Sequence, residues 1–448
     1  MQPKQDLTKS QLFLDDTWVE DQKMLTRVWH KADIFPEPIL KPETPWEGIN
    51  LLMYGTVFRF GDKYRMYYST GKRGEPSAMC VAESDDGLKW HRPTVGLFEY
   101  QGSKNNNIVM SPVNCPSVCY DPEDEAAPFK MITVALGGIH GATSKDGFRW
   151  SELHGPIIPK PPSSDVQYIW FSKVDGKYIV THKTPGGLAR RSVAIAESKD
   201  FRTFSESRLI ITSDLIDPPD TEYHGMVGFP YADIYMGLAE RWVNVPNHIE
   251  LMLAWSHDRK KWHLPPSREA IIGPTYPWNQ GWNTASSAGP IKVGNQLNIY
   301  FNGQSGSHYH VKGGPNKYQV IGLASITEDR FASITAGFME GQLVTKTMTW
   351  PGGDLLINAS TTRNIDGYPL DGGGAMSITL LDGDGNSVDG FSGEERAIFD
   401  GNIPTRLAVD PATIRWPGDR SLNDLAGRSI KLVFHMRDSH LYSFRSSG

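Results

Sequence analysis

The sequence predicts an all-β protein, a five-bladed β-propeller followed by a C-terminal β-sandwich. Two kinds of observation lead to this prediction. The 448 residues include 44 Gly, 31 Pro, 13 Trp and 17 Tyr, a composition typical of many turns and aromatic strands. A short polar turn recurs at intervals along the chain, and a region that lacks this turn follows the last copy.

The recurring turn has a Ser, an Asp two residues later and an aromatic residue shortly afterwards. The copies read AESDDGLKW, ATSKDGFRW, ESKDFRTF and WSHDRKKW, with a degenerate fifth copy, ASITEDRF. Their serines lie 60, 54, 58 and 69 residues apart, which is close to the length of a four-stranded propeller blade. The serines that mark the five units are Ser84, Ser144, Ser198, Ser256 and Ser325.

Each copy follows two alternating apolar runs joined by a turn that contains Gly, Asp or Asn. YGTVFRFGDKYRMYYST precedes the first copy, and YIWFSKVDGKYIVTHK precedes the third. Such alternation predicts antiparallel strands joined by hairpins. We therefore expect three strands up to each Ser and an outer strand beyond the aromatic residue. The alternative, one large sandwich, gives no reason for the turn chemistry to recur at one period.

The units divide the chain into three predicted regions. Residues 45–335 hold the propeller, and residues 336–448 form the sandwich. Residues 1–44 contain an isolated strand, which we expect to pack on the sandwich or on the last blade. The stretch LLDGDGNSVDGF lacks the Gly and Glu that a calcium-binding EF-hand loop needs at its sixth and twelfth places, so a hairpin tip is predicted there.

Charge and hydropathy limit the partners that the sequence predicts. The net charge is −6 and no run of Lys and Arg is interleaved with aromatic residues, so no nucleic-acid partner is expected. Apolar runs are strand-sized, so no membrane span is expected. The N-terminus lacks an apolar signal region, which predicts a cytoplasmic protein or one whose leader has been removed. The sequence leaves the oligomeric state open.

Three cysteines are present, and none has the spacing of a metal site. We interpret Cys80, Cys115 and Cys119 as structural thiols, with a disulfide between the last two as the alternative.

Polar residues at the starts of innermost propeller strands converge on one axis, which makes them the candidates for a site. Carboxyl groups crowded there repel each other, and burial raises the pKa of at least one of them. A protonated acid beside an ionised base is what cleavage of a glycosidic bond requires. The strand starts carry the candidate carboxylates Glu47, Asp121, Asp165 and Glu222.

Other residues near these starts are candidates for binding an oligosaccharide substrate. Aromatic side chains offer flat faces for sugar rings, and the candidates are Trp46, Tyr223, Trp282, His224, His308, Arg191 and Asp121. Three alternatives stay open. Asp121 lies in an acidic loop and also fits a local turn; only one of His308 and His310 can face the axis; and one of Arg190 and Arg191 is expected to pair an axial carboxylate.

The chain resembles the five-bladed propeller glycoside hydrolases of families 43 and 32, including a bacterial subgroup of similar proteins. The resemblance is carried by the five-unit pattern and by the motifs PWEG, YRMYYS, AESDDGLKW, GSKNNNIV and WPGGDLLINA. It implies three catalytic carboxylates, from the first, third and fourth blades. By that correspondence Glu47 is the base or nucleophile, Asp165 orients the substrate and tunes the pKa of the acid, and Glu222 is the general acid.

The sequence departs from those families at the first carboxylate, where they have Asp, and in lacking the NDPNG, RDP and EC motifs of family 32. The predicted function is a glycosidase that cleaves a terminal, furanoside-type bond. One alternative is a propeller phosphorylase, which needs a cationic floor, for which Arg191, Lys183, His308 and His310 are candidates. Another is a carbohydrate-binding propeller without activity. No cofactor or metal is predicted, although the resemblance admits an axial calcium near a fifth-blade histidine.

Overall fold

A computed structural model describes residues 6–71, 75–185, 190–307, 317–361, 363–365, 368–370, 374–400 and 412–448. The chain forms two compact units. The larger unit comprises Lys31–Val293 and Leu297–Ser325, and the smaller comprises Met1–His30, Gly294–Gln296 and Ile326–Gly448. Among the described residues, no helix has the length and hydrophobicity needed to cross a bilayer.

Strands account for nearly all of the regular structure, in keeping with the predicted all-β class. In chain order they begin with β1 (Gln11–Leu12), β2 (Val19–Lys23), β3 (Leu25–Trp29), β4 (Asp33–Ile34), β5 (Leu51–Leu52), β6 (Val57–Phe60), β7 (Lys63–Thr70), β8 (Ala78–Ser84), β9 (Ile108–Met110), β10 (Ser117–Tyr120), β11 (Phe129–Ala135) and β12 (Gly138–Ser144). They continue with β13 (His154–Pro159), β14 (Gln167–Ser172), β15 (Lys177–Lys183), β16 (Val193–Ser198), β17 (Arg208–Ile211), β18 (Thr221–Tyr231), β19 (Ile234–Val243), β20 (His248–Ser256), β21 (Trp282–Ala285), β22 (Ile291–Val293), β23 (Gln296–Gln304) and β24 (Gln319–Thr327).

The remaining strands are β25 (Ala332–Ala336), β26 (Gly341–Thr345), β27 (Met348–Thr349), β28 (Leu355–Ser360), β29 (Arg363–Ile365), β30 (Tyr368–Leu370), β31 (Ala375–Asp382), β32 (Ala397–Asp400), β33 (Ala412–Ile414), β34 (Ser429–Arg437) and β35 (Ser439–Ser446). Short 3-10 turns cover Pro277–Asn279, Gly393–Glu395, Pro417–Asp419 and Leu422–Leu425.

The larger unit consists of antiparallel strand groups that follow one another along the chain. The first pairs β5-β7-β8-β9, with β6 also on β7, the second β10-β11-β12-β13, and the third β14-β15-β16-β17. The fourth, β18-β19-β20, and the fifth, β21-β23-β24-β4, are joined by a parallel bridge between Ile249 and Trp282. Because β4 supplies the last strand of the fifth group, residues 31–44 belong with this unit.

The Ser-x-Asp turns stand at equivalent positions in the groups. β8, β12, β16 and β20, each the third strand of its group, end at the Ser of their copy, as predicted. In the second group the Asp146 carboxylate accepts hydrogen bonds from the amides of Phe148 and Arg149, both at 2.8 Å. The Ser144 hydroxyl accepts the amide of Gly147 at 2.9 Å. These local bonds satisfy the turn amides, so the motif is part of the scaffold.

The turn keeps one backbone conformation in copies that have different residue types. The third residue after the Ser adopts a left-handed backbone conformation, which favours glycine. Gly87 and Gly147 occupy this place with φ of 73° and 76°, whereas Phe201 and Arg259 adopt it with φ of 60° and 61°. At Gly147 a Cβ atom would also lie 2.2 Å from the Tyr67 hydroxyl, so this copy cannot accept a side chain.

Hydrogen bonds near the inner strands link each group to the next, and the last group back to the first. They join Thr56 Oγ1 to Val118 O (2.6 Å), Ile169 N to Ser117 Oγ (3.0 Å), Thr181 Oγ1 to Met226 O, Ile249 N to Gly281 O (2.9 Å) and Ser287 N to Gly55 O (3.1 Å). The buried inner strands therefore meet the hydrogen-bonding needs of their neighbours.

The smaller unit contains two antiparallel sheets and one short hairpin, β29-β30. One sheet has the order β3-β25-β35-β28-β33 with β1 on β35, and the other β2-β26-β34-β31-β32 with β27 on β34. Side chains from both sheets form one apolar core, which includes Ile334, Leu343, Phe434 and Phe444. The N-terminal strands β1 to β3 thus complete sheets made by the C-terminal part of the chain.

Replacing Asp146 with Ala should lower the free energy of unfolding by about 1 kcal/mol, because two turn amides lose their acceptor, as when a helix loses its N-cap side chain. Chemical denaturation measures the change. Glu152→Ala, at an exposed position in the following loop, is the matched control. A loss no larger than in the control would contradict the scaffold role of the turn.

Candidate functional site

Side chains from the first, third, fourth and fifth strand groups of the larger unit meet around one polar cluster, which we call the axial cluster. Its ionisable members come from the third and fourth groups, and its aromatic rings come from the first, third and fifth. We define it by the residues Tyr54, Asp165, Tyr168, Lys183, Arg191, Glu222, His224, Glu240 and Trp282. The second group contributes the Cys115 carbonyl, which accepts a hydrogen bond from Gln167.

A β-bulge directs His224 into this cluster. The pairing of β18 with β19 shifts between Tyr223 and Gly225, which leaves His224 as the extra residue opposite Glu240. Its Nδ1 atom lies 3.2 Å from Glu240 Oε2. The next residue must be glycine, because a Cβ atom on Gly225 would lie 2.9 Å from the ring of Tyr168 and 3.3 Å from Glu240 Oε2.

The polar groups form a continuous chain of contacts from the surface to the interior. Asp165 Oδ1 lies 2.6 Å from Lys183 Nζ, and Lys183 Nζ lies 3.3 Å from His224 Nε2. His224 contacts Glu240, whose other oxygen accepts the hydroxyl of Tyr168. The Asp165 side chain is 60% exposed and Glu240 is 0% exposed. The chain of contacts therefore connects a carboxylate that solvent reaches with one that it does not.

Burial and charge separate the protonation behaviour of these groups. Burial raises the pKa of Glu240 to about 7 and keeps the pKa of His224 well below its usual value, an effect that the Lys183 ammonium reinforces. For Asp165 the partial burial is outweighed by Lys183, and its pKa falls to about 2. At neutral pH the site thus holds an ionised Asp165, a neutral His224 and a buried carboxyl group near its midpoint.

Glu222 is the second accessible carboxyl group of the cluster. Its side chain is 18% exposed, and Oε2 lies 2.6 Å from Arg191 Nη1. The Arg191 guanidinium also lies over the Trp242 ring, 5.0 Å from its centroid, which fixes its position. The Trp282 ring contacts His224 edge-on with centroids 5.2 Å apart. Asp165 and Glu222 therefore each have their own cation within one aromatic-walled site.

Glu47 occupies a different environment from the one predicted for a base or nucleophile. Its carboxylate is 0% exposed and lies among the side chains of Tyr68 and Arg92 and the amides of Glu43 and Thr44, which all donate to it at 2.6–3.1 Å. These donors outweigh the effect of burial and lower the pKa of Glu47. The group anchors the 43–47 turn and presents no oxygen to a substrate.

Three further candidates also lie away from the axial cluster. Trp46 donates its indole N–H to Asn107 at 2.8 Å, beside the Glu47 anchor. Asp121 is buried and accepts the amide of Glu123 at 2.9 Å, which is the local turn role left open by the sequence. Tyr223 is 0% exposed and donates its hydroxyl to Asp217, so its ring cannot stack on a sugar.

The structure resolves one of the two pairs that the sequence left open. Arg191 pairs the Glu222 carboxylate, and Arg190 contacts the Ser213 hydroxyl at 3.2 Å. His308 and His310 lie outside the described residues. All three cysteines are free thiols, so the alternative of a disulfide between Cys115 and Cys119 is not realised.

The sequence reasoning missed Glu240 and Tyr168. Glu240 lies inside β19, away from the starts of inner strands where candidates were expected, whereas Tyr168 lies at the start of β14, three residues after Asp165. A signal was present in the stretch YMGLAERWV, where a single acidic residue interrupts an apolar strand. A lone carboxyl group in a buried strand needs donors from its neighbours, so such a residue is itself a candidate for a site.

The described part of the cluster does not fit an axial calcium. Calcium needs six to eight oxygen ligands, whereas the space between Asp165 and His224 is taken by the Lys183 ammonium. Among the described residues, no group of three or more His, Cys, Asp or Glu is arranged to hold a metal ion.

Two cavities of the larger unit lie elsewhere. One, of about 630 Å³, is lined by outer-turn residues of the first and second groups, including Arg65, Glu83 and Asp146. The other, of about 580 Å³, has an aromatic and proline-rich lining that includes Tyr276 and Trp278. In the first cavity, which His91 also lines, Asp146 bonds turn amides and Glu83 pairs Arg65 at 3.1 Å, so these carboxylates already serve the scaffold. The described lining of the second cavity includes no histidine. The axial cluster is therefore the better candidate for chemistry.

The solved structures that match this chain are distant from it. An α-L-arabinofuranosidase of Podospora anserina in complex with cellotriose is 10% identical, covers 67% of this chain and 98% of its own, and has a TM-score of 0.49. A β-1,2-mannobiose phosphorylase of Listeria innocua is 14% identical, covers 66% and 96%, and has a TM-score of 0.47. An N-acetylgalactosamine deacetylase of F. plautii is 12% identical, covers 69% and 97%, and also has a TM-score of 0.47. No protein-family profile and no curated protein matches the chain.

Replacing Lys183 with Met should raise the pKa of Asp165 from about 2 towards or above its usual value near 4, because burial then acts without the opposing ammonium. In the wild type, the pKa of Asp165 is lower in the folded state than in the unfolded state. The ion pair with Lys183 therefore stabilises the fold above about pH 4, and this contribution is lost as the pH falls towards 2. Carboxyl ¹³C NMR titration measures the shift.

Lys177→Met, at the other end of β15, is the matched control for this titration, because Lys177 pairs Glu197 at 2.8 Å instead. The control should leave the Asp165 midpoint where it is. An unchanged midpoint in Lys183→Met would show that the ammonium does not set the ionisation of Asp165.

Proposed function

We propose that this protein is a glycoside hydrolase that cleaves a terminal, furanoside-type glycosidic bond at the axial cluster. The observation that carries the proposal is the pair of accessible carboxyl groups, Asp165 and Glu222, each held by its own cation beside Trp282. Glycosidic bond cleavage needs two carboxyl groups with different roles on one site.

The proposal assigns different roles to the two groups. Asp165 is ionised at neutral pH and suits a base or nucleophile, the role first assigned to Glu47. Glu222 is then the general acid, the role implied by the resemblance to propeller glycosidases, with Arg191 fixing its position. Trp282 supplies an aromatic wall for the sugar ring.

The architecture supports the proposal through the arrangement of the larger unit. Hydrogen bonds link the five strand groups in order and join the fifth group back to the first, as a five-bladed propeller requires. Two sheets around one core in the smaller unit suit the proposed C-terminal sandwich. In such a propeller the axial cluster stands where residues from all blades converge.

Charge balance favours hydrolysis over phosphorolysis. A phosphorylase must offer cationic groups to inorganic phosphate, whereas the Lys and Arg in the described part of the cluster, Lys183 and Arg191, are each already paired with a carboxylate at 2.6 Å. Phosphate would have to displace Asp165 or Glu222 and leave a carboxylate without its cation, which is costly in a partly buried site. Water as the acceptor needs no such exchange.

Asp165→Asn and Glu222→Gln should each lower the turnover of the best substrate from a panel of nitrophenyl furanosides and pyranosides by about 10²- to 10⁴-fold, because each removes one group that transfers a proton or attacks the sugar. Turnover is measured from nitrophenol release, and circular dichroism confirms that the variants fold. Asp258→Asn, in the outer turn of the fourth group, is the matched control and should keep near-wild-type turnover.

Two outcomes of the same panel would contradict the proposal. Turnover that requires added phosphate would identify a phosphorylase. Tight binding of a glycan with no turnover, unaffected by either substitution, would identify a carbohydrate-binding protein, since binding depends on stacking and hydrogen bonds rather than on a tuned acid.

A further inference from the structure

Glu240 lies too deep to touch a substrate. It is 0% exposed and separated from the accessible Asp165 by Lys183 and His224. We propose that Glu240 is a positioning residue, whose ionisation state decides whether His224 and Lys183 hold Asp165 in its working position. This inference rests on the proposed function for what the site does, and on the contact chain for how Glu240 acts.

The hydrogen-bond directions along the chain follow from which atoms can donate. The Lys183 ammonium has donors only, so His224 Nε2, 3.3 Å away, must be the acceptor. The single proton of the neutral imidazole is then on Nδ1 and points to Glu240 Oε2 at 3.2 Å. Tyr168 donates its hydroxyl to the other Glu240 oxygen. An ionised Glu240 accepts both donors without conflict.

A proton on Glu240 disturbs this arrangement. The Tyr168 hydroxyl can accept as well as donate, so it can take a proton on the Glu240 oxygen that it faces. The carboxylate charge is lost, however, and a neutral carboxyl oxygen is a weaker acceptor for the N–H of His224. His224 Nε2 then becomes a poorer acceptor for Lys183, and the ammonium loses an attracting charge, which loosens the hold on Asp165.

Glu240 has little freedom to move away from its partners. Glu240 lies on β19, which is paired on both sides by β18 and β20, and the groups that face it come from several elements. The charged groups that act on Glu240 or on His224 are Asp165, Lys183, Arg191 and Glu222. The other titratable groups beside Glu240 are Tyr168, Tyr54 and Cys115. With Glu240 fully buried, water cannot reach it to replace a lost partner.

The direction of the pH effect follows from the ionisation of the buried group. The pKa of Glu240 is raised by burial to about 7, so the fraction with the ordered, ionised form increases as the pH rises through that value. The pKa of His224 is well below its usual value, so the imidazole stays neutral throughout this range. A pH dependence near neutrality would therefore report on Glu240.

Histidine NMR tests the coupling without any need for a substrate. In protein labelled with ¹³C and ¹⁵N histidine, the His224 ring signals should shift with a midpoint near pH 7 in the wild type, and this inflection should be absent in Glu240→Gln. His182, whose pKa burial lowers to about 4, is an internal control that should not show it. No inflection at His224 in the wild type, or the same inflection in Glu240→Gln, would overturn the proposal.

Tyr168→Phe provides a second variant if Glu240→Gln does not fold. It removes a hydrogen bond that lowers the pKa of Glu240, so the His224 midpoint should move to higher pH. A midpoint that stays in place or moves to lower pH would contradict the contact chain.

Turnover of p-nitrophenyl α-L-arabinofuranoside separates this inference from the proposed function. The wild type should lose kcat/KM as the pH falls below about 7, and Glu240→Gln should lack that limb. If the wild type turns over no glycoside, the proposed function fails, and the NMR titration alone decides the coupling. If the wild type is active and both enzymes share one pH profile, the positioning role of Glu240 fails and the glycosidase stands.

Discussion

The axial cluster depends on the burial of one carboxyl group. A fully buried carboxylate is costly unless donors surround it, and Glu240 meets this requirement with Tyr168 on one oxygen and His224 on the other. The bond to Glu240 in turn orients His224, whose Nε2 contacts Lys183, and Lys183 pairs Asp165. The buried carboxyl group of Glu240 therefore determines how the accessible side chains of the site are arranged.

The scaffold makes this arrangement available through contacts between strand groups. Inner strands donate to and accept from the next group, which brings residues far apart in the chain to one place. The β-bulge at His224 and the close approach at Gly225 then adjust individual side chains within that frame. The outer turns contribute differently, since their Ser and Asp side chains satisfy local amides.

The candidate residues that the sequence predicted divide according to how far their contacts reach. Asp165, Arg191, Glu222, His224 and Trp282 are brought together by the fold. Glu47 precedes an inner strand, as Asp165 does, yet it bonds amides within four residues of itself, together with Arg92. An acidic residue before a strand fits both situations, because the sequence around it does not say which donors it will meet.

By itself, the sequence determined the alternating strand pattern and the turns. These features depend on side chains that bond amides within a few residues, so a stretch such as AESDDGLKW specifies its own conformation wherever it occurs. Only the tertiary structure decided which carboxyl groups face one another, that Tyr223 turns inward and that Glu240 lies at the centre. Those outcomes depend on pairing register, one bulged residue and packing between distant strands, which no local pattern encodes.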